Sequence, residues 1–193
     1  MSQIELIPLK FLDSIGTKKH IALLYEEPEY ARLIEFRFLK NGLGQGEQCI
    51  YATEEDSGTV ILKLISYGIP IESFQKGRIR VLHLDAKDGD YESMMTSCKK
   101  DMLKITHDLD PPFRIVSRIV PAVQIVSGMS LELEFERQLH HIFDEIGGSV
   151  MCPYDLTKME PTLMEKWLSG IHQTHHDIIF SPGFGMSGVL SAY

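Results

Sequence analysis

Carboxylate, thiol and imidazole side chains gather at the ends of the apolar runs of this 193-residue chain, and each gathering suggests a chemistry. The first is Glu26-Glu27-Pro28-Glu29, which joins the apolar run His20–Tyr25 to a helix-like stretch. A phosphate-binding turn at such a junction reads G-x-x-x-x-G-K-[ST], with glycines and a lysine to hold the anion. Three carboxylates with neither glycine nor lysine repel phosphate instead. They complement the positive end of the following helix, or they join Arg32 in holding a cation or a polar ligand. Tyr25 offers that ligand a ring and a hydroxyl, or simply packs in the core. Glu54 and Glu55 follow the second apolar run, Gln48–Ala52. A general base there needs a positioned water, whereas with Asp56 and Ser57 the pair also suits a helix cap.

A second gathering closes a later apolar run as Cys152-Pro153-Tyr154-Asp155. A cysteine nucleophile needs a histidine base nearby, and His172, His175 and His176 lie in the next segment. His172-x-x-His175, with Cys152 or Asp155, has the donor types of a zinc site, an alternative to the expectation of no metal. The stronger zinc patterns, paired cysteines or H-E-x-x-H, are absent. His140 and His141 are adjacent on a helix-like stretch and diverge by ~100°, so both cannot face one site. The glycine-rich tail from Ser181 to Gly188 carries no lysine and precedes no helix-like run. It is expected to be a flexible terminus, the alternative being an arm that packs on another subunit through Phe184, Met186 or Val189.

These residues must be positioned by regular elements, and the punctuation of the chain marks them. Strands are predicted over His20–Tyr25, Gln48–Ala52, Arg78–Leu84, Phe113–Ile119, Ser149–Tyr154 and Asp177–Ser181. Helices are predicted between them. Pro28 and Asn41-Gly42 bound the first, Ser57 and Gly68 the second, Asp90 and Asp108 the third. Ser130 and Gly147-Gly148 bound the fourth, Pro161 and His172 the fifth. Alternation of this kind implies a three-layer α/β/α domain with a mostly parallel sheet and right-handed crossovers. Ligands of such folds bind outside the carboxyl ends of the strands.

Composition narrows the partners. Apolar residues make up 44% of the chain and charged residues 24%, a globular balance. The net charge of −8, with Lys and Arg scattered, argues against a nucleic-acid partner. No run approaches the ~18 apolar residues of a membrane helix, and the first residues lack the long apolar run of a signal peptide. Three isolated cysteines suit a reducing cytoplasm.

The order of short motifs resembles that of the RecA/KaiC family of ATPases. Phe38-Leu39-Lys40-Asn41-Gly42-Leu43 is followed by Gly46-Glu47-Gln48-Cys49-Ile50-Tyr51 and Glu54-Glu55. Tyr67-Gly68-Ile69 and Lys76-Gly77-Arg78-Ile79-Arg80-Val81 continue the same rhythm. The chain is more similar still to the MEDS domain, a sensory module of methanogens and methylotrophs that looks like a RecA/KaiC derivative without its nucleotide motifs. His20 opening the first strand, Tyr25 closing it, Cys152-Pro153-Tyr154-Asp155, and His175 or His176 before the last strand carry that likeness. It spans roughly residues 15 to 182. The Walker A lysine and hydroxyl residue are missing, and the run Phe113–Arg118 ends without the aspartate that would hold Mg²⁺, so ATP hydrolysis is not expected.

The resemblance implies RecA/KaiC-like topology and a non-catalytic cytoplasmic sensor, archaeal or bacterial, needing no cofactor. The expectation is a single domain over residues 1–193, with its core at 15–182 and its tail at 183–193. Its ligand, a small molecule or a signalling protein such as a kinase or regulator, would occupy the former nucleotide crevice. The residues expected to bind it are His20, Tyr25, Glu26, Glu27, Arg32, Glu54, Tyr154 and Asp155. A residual enzyme using Cys152, an atypical nucleotide binder and a ligand-free homo-oligomer are the alternatives.

Overall fold

A computed structural model describes residues 7–85, 90–117, 132–138, 140 and 147–191. Its strands are β1 (His20–Tyr25), β2 (Gln48–Thr53), β3 (Ile79–His83), β4 (Phe113–Ser117), β5 (Ser149–Asp155), β6 (Asp177–Gly183) and β7 (Met186–Ser191). They form one sheet in the order β3-β2-β4-β5-β1-β6-β7, in which β1 to β6 run parallel and β7 returns antiparallel to β6. The helices are α1 (Ile7–Ser14), α2 (Pro28–Gly44), α3 (Ser57–Ser66), α4 (Ile71–Gln75), α5 (Tyr91–Thr106), α6 (132–138) and α7 (Met164–Thr174).

Helices cover both faces, which is why β1 is buried at every position and reads as an unbroken apolar run. Strand alternation then sorts the side chains. Ile21 and Leu23 of β1 pack with Ile34, Phe38 and Leu39 of α2, Leu12 of α1 and Val60 and Leu64 of α3. Ala22 and Leu24 pack on the opposite face with Cys98 and Met102 of α5, Leu133 and Phe135 of α6, and Trp167 and Ile171 of α7. His20, Cys152 and Tyr154 belong by the same alternation to this second face.

Local chemistry explains several boundaries. Asp56 caps α3 by accepting from the Thr59 amide at 2.8 Å, and Asp90 caps α5 by accepting from the Ser93 amide at 2.9 Å. The Gly42–Glu47 stretch serves the sheet's interior. Arg114 of β4 is fully buried and donates to Glu47 Oε2 at 2.8 Å, to the Phe38 carbonyl at 3.1 Å and to Gln45 Oε1 at 3.1 Å. A Cβ on Gly42 would lie 2.6 Å from Arg114 Cδ, so glycine leaves the room this arginine occupies.

The predicted strands and helices are present where described, and two features depart from the prediction: the tail, and two further helices. The fourth predicted helix is described only over 132–138 and at 140, and the fourth strand ends at Ser117, the remainder of both lying outside the described residues. The glycine-rich tail is not a loose terminus. Gly185, at φ +80°, turns the chain so that Met186–Ser191 pairs with β6 as β7. Phe184 meets Tyr30 of α2 edge-on at 5.5 Å. Two helices were not predicted: α1, where Asp13 takes both Arg37 Nε and Nη2 at 2.7 and 2.8 Å, and the single turn α4. None of the described helices is long and apolar enough to cross a membrane.

Candidate functional site

Ionisable side chains from four elements converge between the sheet and the α6–α7 layer. β1 contributes His20, β5 contributes Cys152 and Tyr154, α6 contributes Glu136, and the residue after α7 is His175. All are buried. Gly170 makes this approach of helices feasible, since a Cβ there would lie 2.5 Å from Leu133 of α6. Glu132 and Glu136 stand one turn apart on α6 and point the same way. Trp167 Nε1 donates to Glu132 Oε2 at 3.0 Å, and the Tyr154 hydroxyl donates to Glu136 Oε1 at 2.8 Å.

The two imidazoles are stacked, with ring centroids 3.9 Å apart. His20 Nδ1 lies 2.8 Å from the Thr174 carbonyl oxygen, and His175 Nδ1 lies 2.9 Å from that of Ile171. A carbonyl only accepts, so each Nδ1 carries a proton and each Nε2 is directed into the cluster. His20 Nε2 is 3.2 Å from Glu136 Oε2 and 3.4 Å from Cys152 Sγ, and His175 Nε2 is 3.6 Å from the same carboxylate oxygen. His176 holds the strand end, its Nδ1 accepting from the His20 amide at 3.0 Å while its own amide donates to the His20 carbonyl at 2.8 Å.

Burial sets the charge states. It pushes the Cys152 thiol well above its ordinary range, and the neighbouring Glu136 adds to the shift. Burial and Glu136 also raise the carboxyl of Glu132. His175 is driven well below the usual imidazole value by burial and then by His20, which keeps it neutral. The environment therefore opposes a free thiolate at Cys152 and a charged ring at His175. His20, Glu136, Cys152 and His175 present donor atoms all within 4.8 Å of one another, a donor set able to hold a metal ion.

The sequence profile of the MEthanogen/methylotroph, DcmR Sensory (MEDS) domain matches residues 19–175, which begin at β1 and end at the second stacked imidazole. The chain belongs to the MEDS family. Among curated proteins no sequence matches. Solved structures place the MEDS chain in the KaiC-like fold group. A KaiC-like protein from Pyrococcus horikoshii superposes with a TM-score of 0.56 at 14% identity, over 86% of this chain and 72% of its own. The flagellar accessory protein FlaH from Methanocaldococcus jannaschii superposes with a TM-score of 0.59 at 12% identity, over 92% and 80%.

In this MEDS domain the residues singled out in the sequence are dispersed. His20 and Tyr154 meet in the cluster, as do Cys152 and His175 of the alternative zinc set, while His172 is exposed on α7. Tyr25 is buried on the opposite, α2 face of the sheet. Glu26, Glu27 and Glu54 are exposed. Arg32 donates to Glu55 Oε1 at 2.7 Å and lines an open groove of about 450 Å³ between α2 and α3. Asp155 caps the 3-10 turn Leu156–Lys158, accepting from the Thr157 amide at 3.1 Å. Glu136 was missed, although Glu132, Glu136 and His140 recur every four residues, the spacing of one helix face.

Proposed function

We propose that this MEDS domain is a non-catalytic sensor that reads its signal at the buried His20–Glu136–Cys152–Tyr154–His175 cluster, and that the nucleotide crevice of the ATPases it resembles is degenerate. The observation carrying this reading is the convergence of five buried polar side chains from four elements at one point. Burying such groups is costly, and a core does not need them. The family's sensory description agrees.

The β1–α2 junction supports the second half of the reading. Only Glu26 and Glu27 separate β1 from α2, too few residues to wrap a phosphate. Their amides, which a phosphate loop would aim at its ligand, both donate to the Pro182 carbonyl, at 3.2 and 2.9 Å. Three exposed carboxylates complete a surface that repels a polyanion.

Methanogens and methylotrophs, for which the family is named, handle one-carbon compounds, so the probes are methanol, methylamine and methanethiol. Trp167 is the lone tryptophan of the chain and lies 5.1 Å from Tyr154, ring to ring, so its emission reports on the cluster. A saturable change with one probe, lost in Tyr154→Phe and Cys152→Ser, is the expected result. Calorimetry with ATP and Mg²⁺ is expected to give no saturable heat. Nucleotide binding, or a probe response untouched by both substitutions, would overturn the reading.

A further inference from the structure

We infer that His20, Glu136, Cys152 and His175 form a tetrahedral zinc centre, an inference that rests on the assignment of this cluster as the functional site. The hydrogen-bond pattern is the first argument. Both rings spend their Nδ1 protons on backbone carbonyls, the arrangement that fixes metal-binding histidines and leaves Nε2 as the ligand atom. Glu136 Oε2 sits against both Nε2 atoms with no hydrogen-bond donor of its own, although its sister oxygen is satisfied by Tyr154. A buried carboxylate oxygen thus faces a ring nitrogen of His20 and one of His175 at 3.2 and 3.6 Å, with the Cys152 sulfur 3.4 Å from the first. A cation placed between them would be held by all of these atoms at once.

The distances are the second argument. Zinc bonds of about 2.0–2.3 Å set ligand atoms at the corners of a tetrahedron about 3.3–3.7 Å apart. Three of the six edges are 3.2, 3.4 and 3.6 Å, and all four donor atoms lie within 4.8 Å of one another, so the set would contract around a bound ion. Charge is the third. A divalent ion is neutralised by one thiolate and one carboxylate, which suits a fully buried site. Binding displaces one proton, that of the Cys152 thiol, and the metal overcomes the burial that otherwise opposes ionisation. Imidazole and thiolate donors favour zinc over hard cations such as magnesium or calcium.

The test uses the full chain without a histidine tag. Metal analysis after exhaustive dialysis is expected to find one zinc per chain. Replacement by cobalt(II) is expected to give tetrahedral d–d bands and a thiolate-to-cobalt charge-transfer band. The charge-transfer band should vanish in Cys152→Ser and persist in His172→Ala, whose side chain is exposed. Glu136→Gln should keep that band and lower the zinc affinity, a second readout if Cys152→Ser folds poorly. A wild-type chain folded by circular dichroism that neither carries nor takes up zinc or cobalt would overturn the inference. So would a charge-transfer band surviving in folded Cys152→Ser. Zinc absent while a one-carbon probe still moves Trp167 emission defeats the metal and spares the sensor. Zinc present with no probe response does the reverse.

Discussion

Trp167 and the three cysteines make the interior accessible to measurement one residue at a time. All three thiols are buried, and Cys49 is pushed up to about 12 by burial, with Glu47 adding to the shift. Thiolates are the reactive form, so a disulfide reagent at neutral pH is expected to label none of the cysteines rapidly in the native chain and all three after unfolding. Fast labelling of a native thiol would contradict the packing described here. At this scale the sequence was half legible. His20, Cys152, Tyr154 and His175 stand out because they are polar letters in or beside apolar runs. Their meeting does not, because His20 and Cys152 are 132 residues apart and only the parallel pairing of β1 with β5 joins them. Glu136 hid in the polar-looking stretch LELEFERQLHH, where an inward carboxylate and a solvated one have the same letter. His172 misled for the converse reason. Its i, i+3 spacing from His175 supposes a helix through both, but α7 ends at Thr174, and His175 enters extended backbone.

Among the elements, the Gly42–Glu47 connection between α2 and β2 is the most exposed to failure. Glu47 and Arg114 are both buried, and removing one partner strands a charge. Glu47→Ala is therefore expected to cost about 3–5 kcal/mol in a denaturant melt, with Gly42→Val comparably damaging through its clash with the arginine. A melt within error of wild type for Glu47→Ala would show that the pair is dispensable. Gly170→Val tests another contact, the α6–α7 approach. It should weaken zinc or probe binding, as Leu133 is forced away and carries Glu136 with it, whereas Ser169→Val on the same helix should not. Strands and long helices were readable because both their periodicity and their end signals agree. Gly42 and Glu47 were read as family rhythm, and nothing in the local pattern tells that they face Arg114, roughly seventy residues on. β7 escaped because Met186–Ser191 holds a glycine and two serines, and its strand character comes from pairing with β6 rather than from its own propensity.

For the molecule as a whole, α1 and β7 close the domain on the α2 side. Asp13 joins α1 to α2 through the Arg37 fork and Asn41, which hold its carboxyl below the usual aspartate value of 3.8. A depressed folded-state pKa gives a contribution fully present above the unfolded value and lost as pH falls through the folded one. Asp13→Asn is thus expected to lower stability at neutral pH and to leave it unchanged at pH values well below 3.8, with salt shrinking the difference because the pair is exposed. An equal loss at both pH values would assign the effect to something other than this pair. The three-layer architecture itself was legible from alternation alone, while the closing role of the first and last elements was not, since each is short and meets its partner only in the folded chain.

The burial of the cluster also fixes a tempo. His20 and His175 are 0% and 3% exposed and Cys152 is 5%, so a solute bound at the cluster would have to wait for the α6–α7 layer to open. Uptake rates should therefore level off as solute concentration rises, at the frequency of that opening, and departure should obey the same clock. On the proposed sensory reading, such gating would smooth out brief pulses and let occupancy outlast its source.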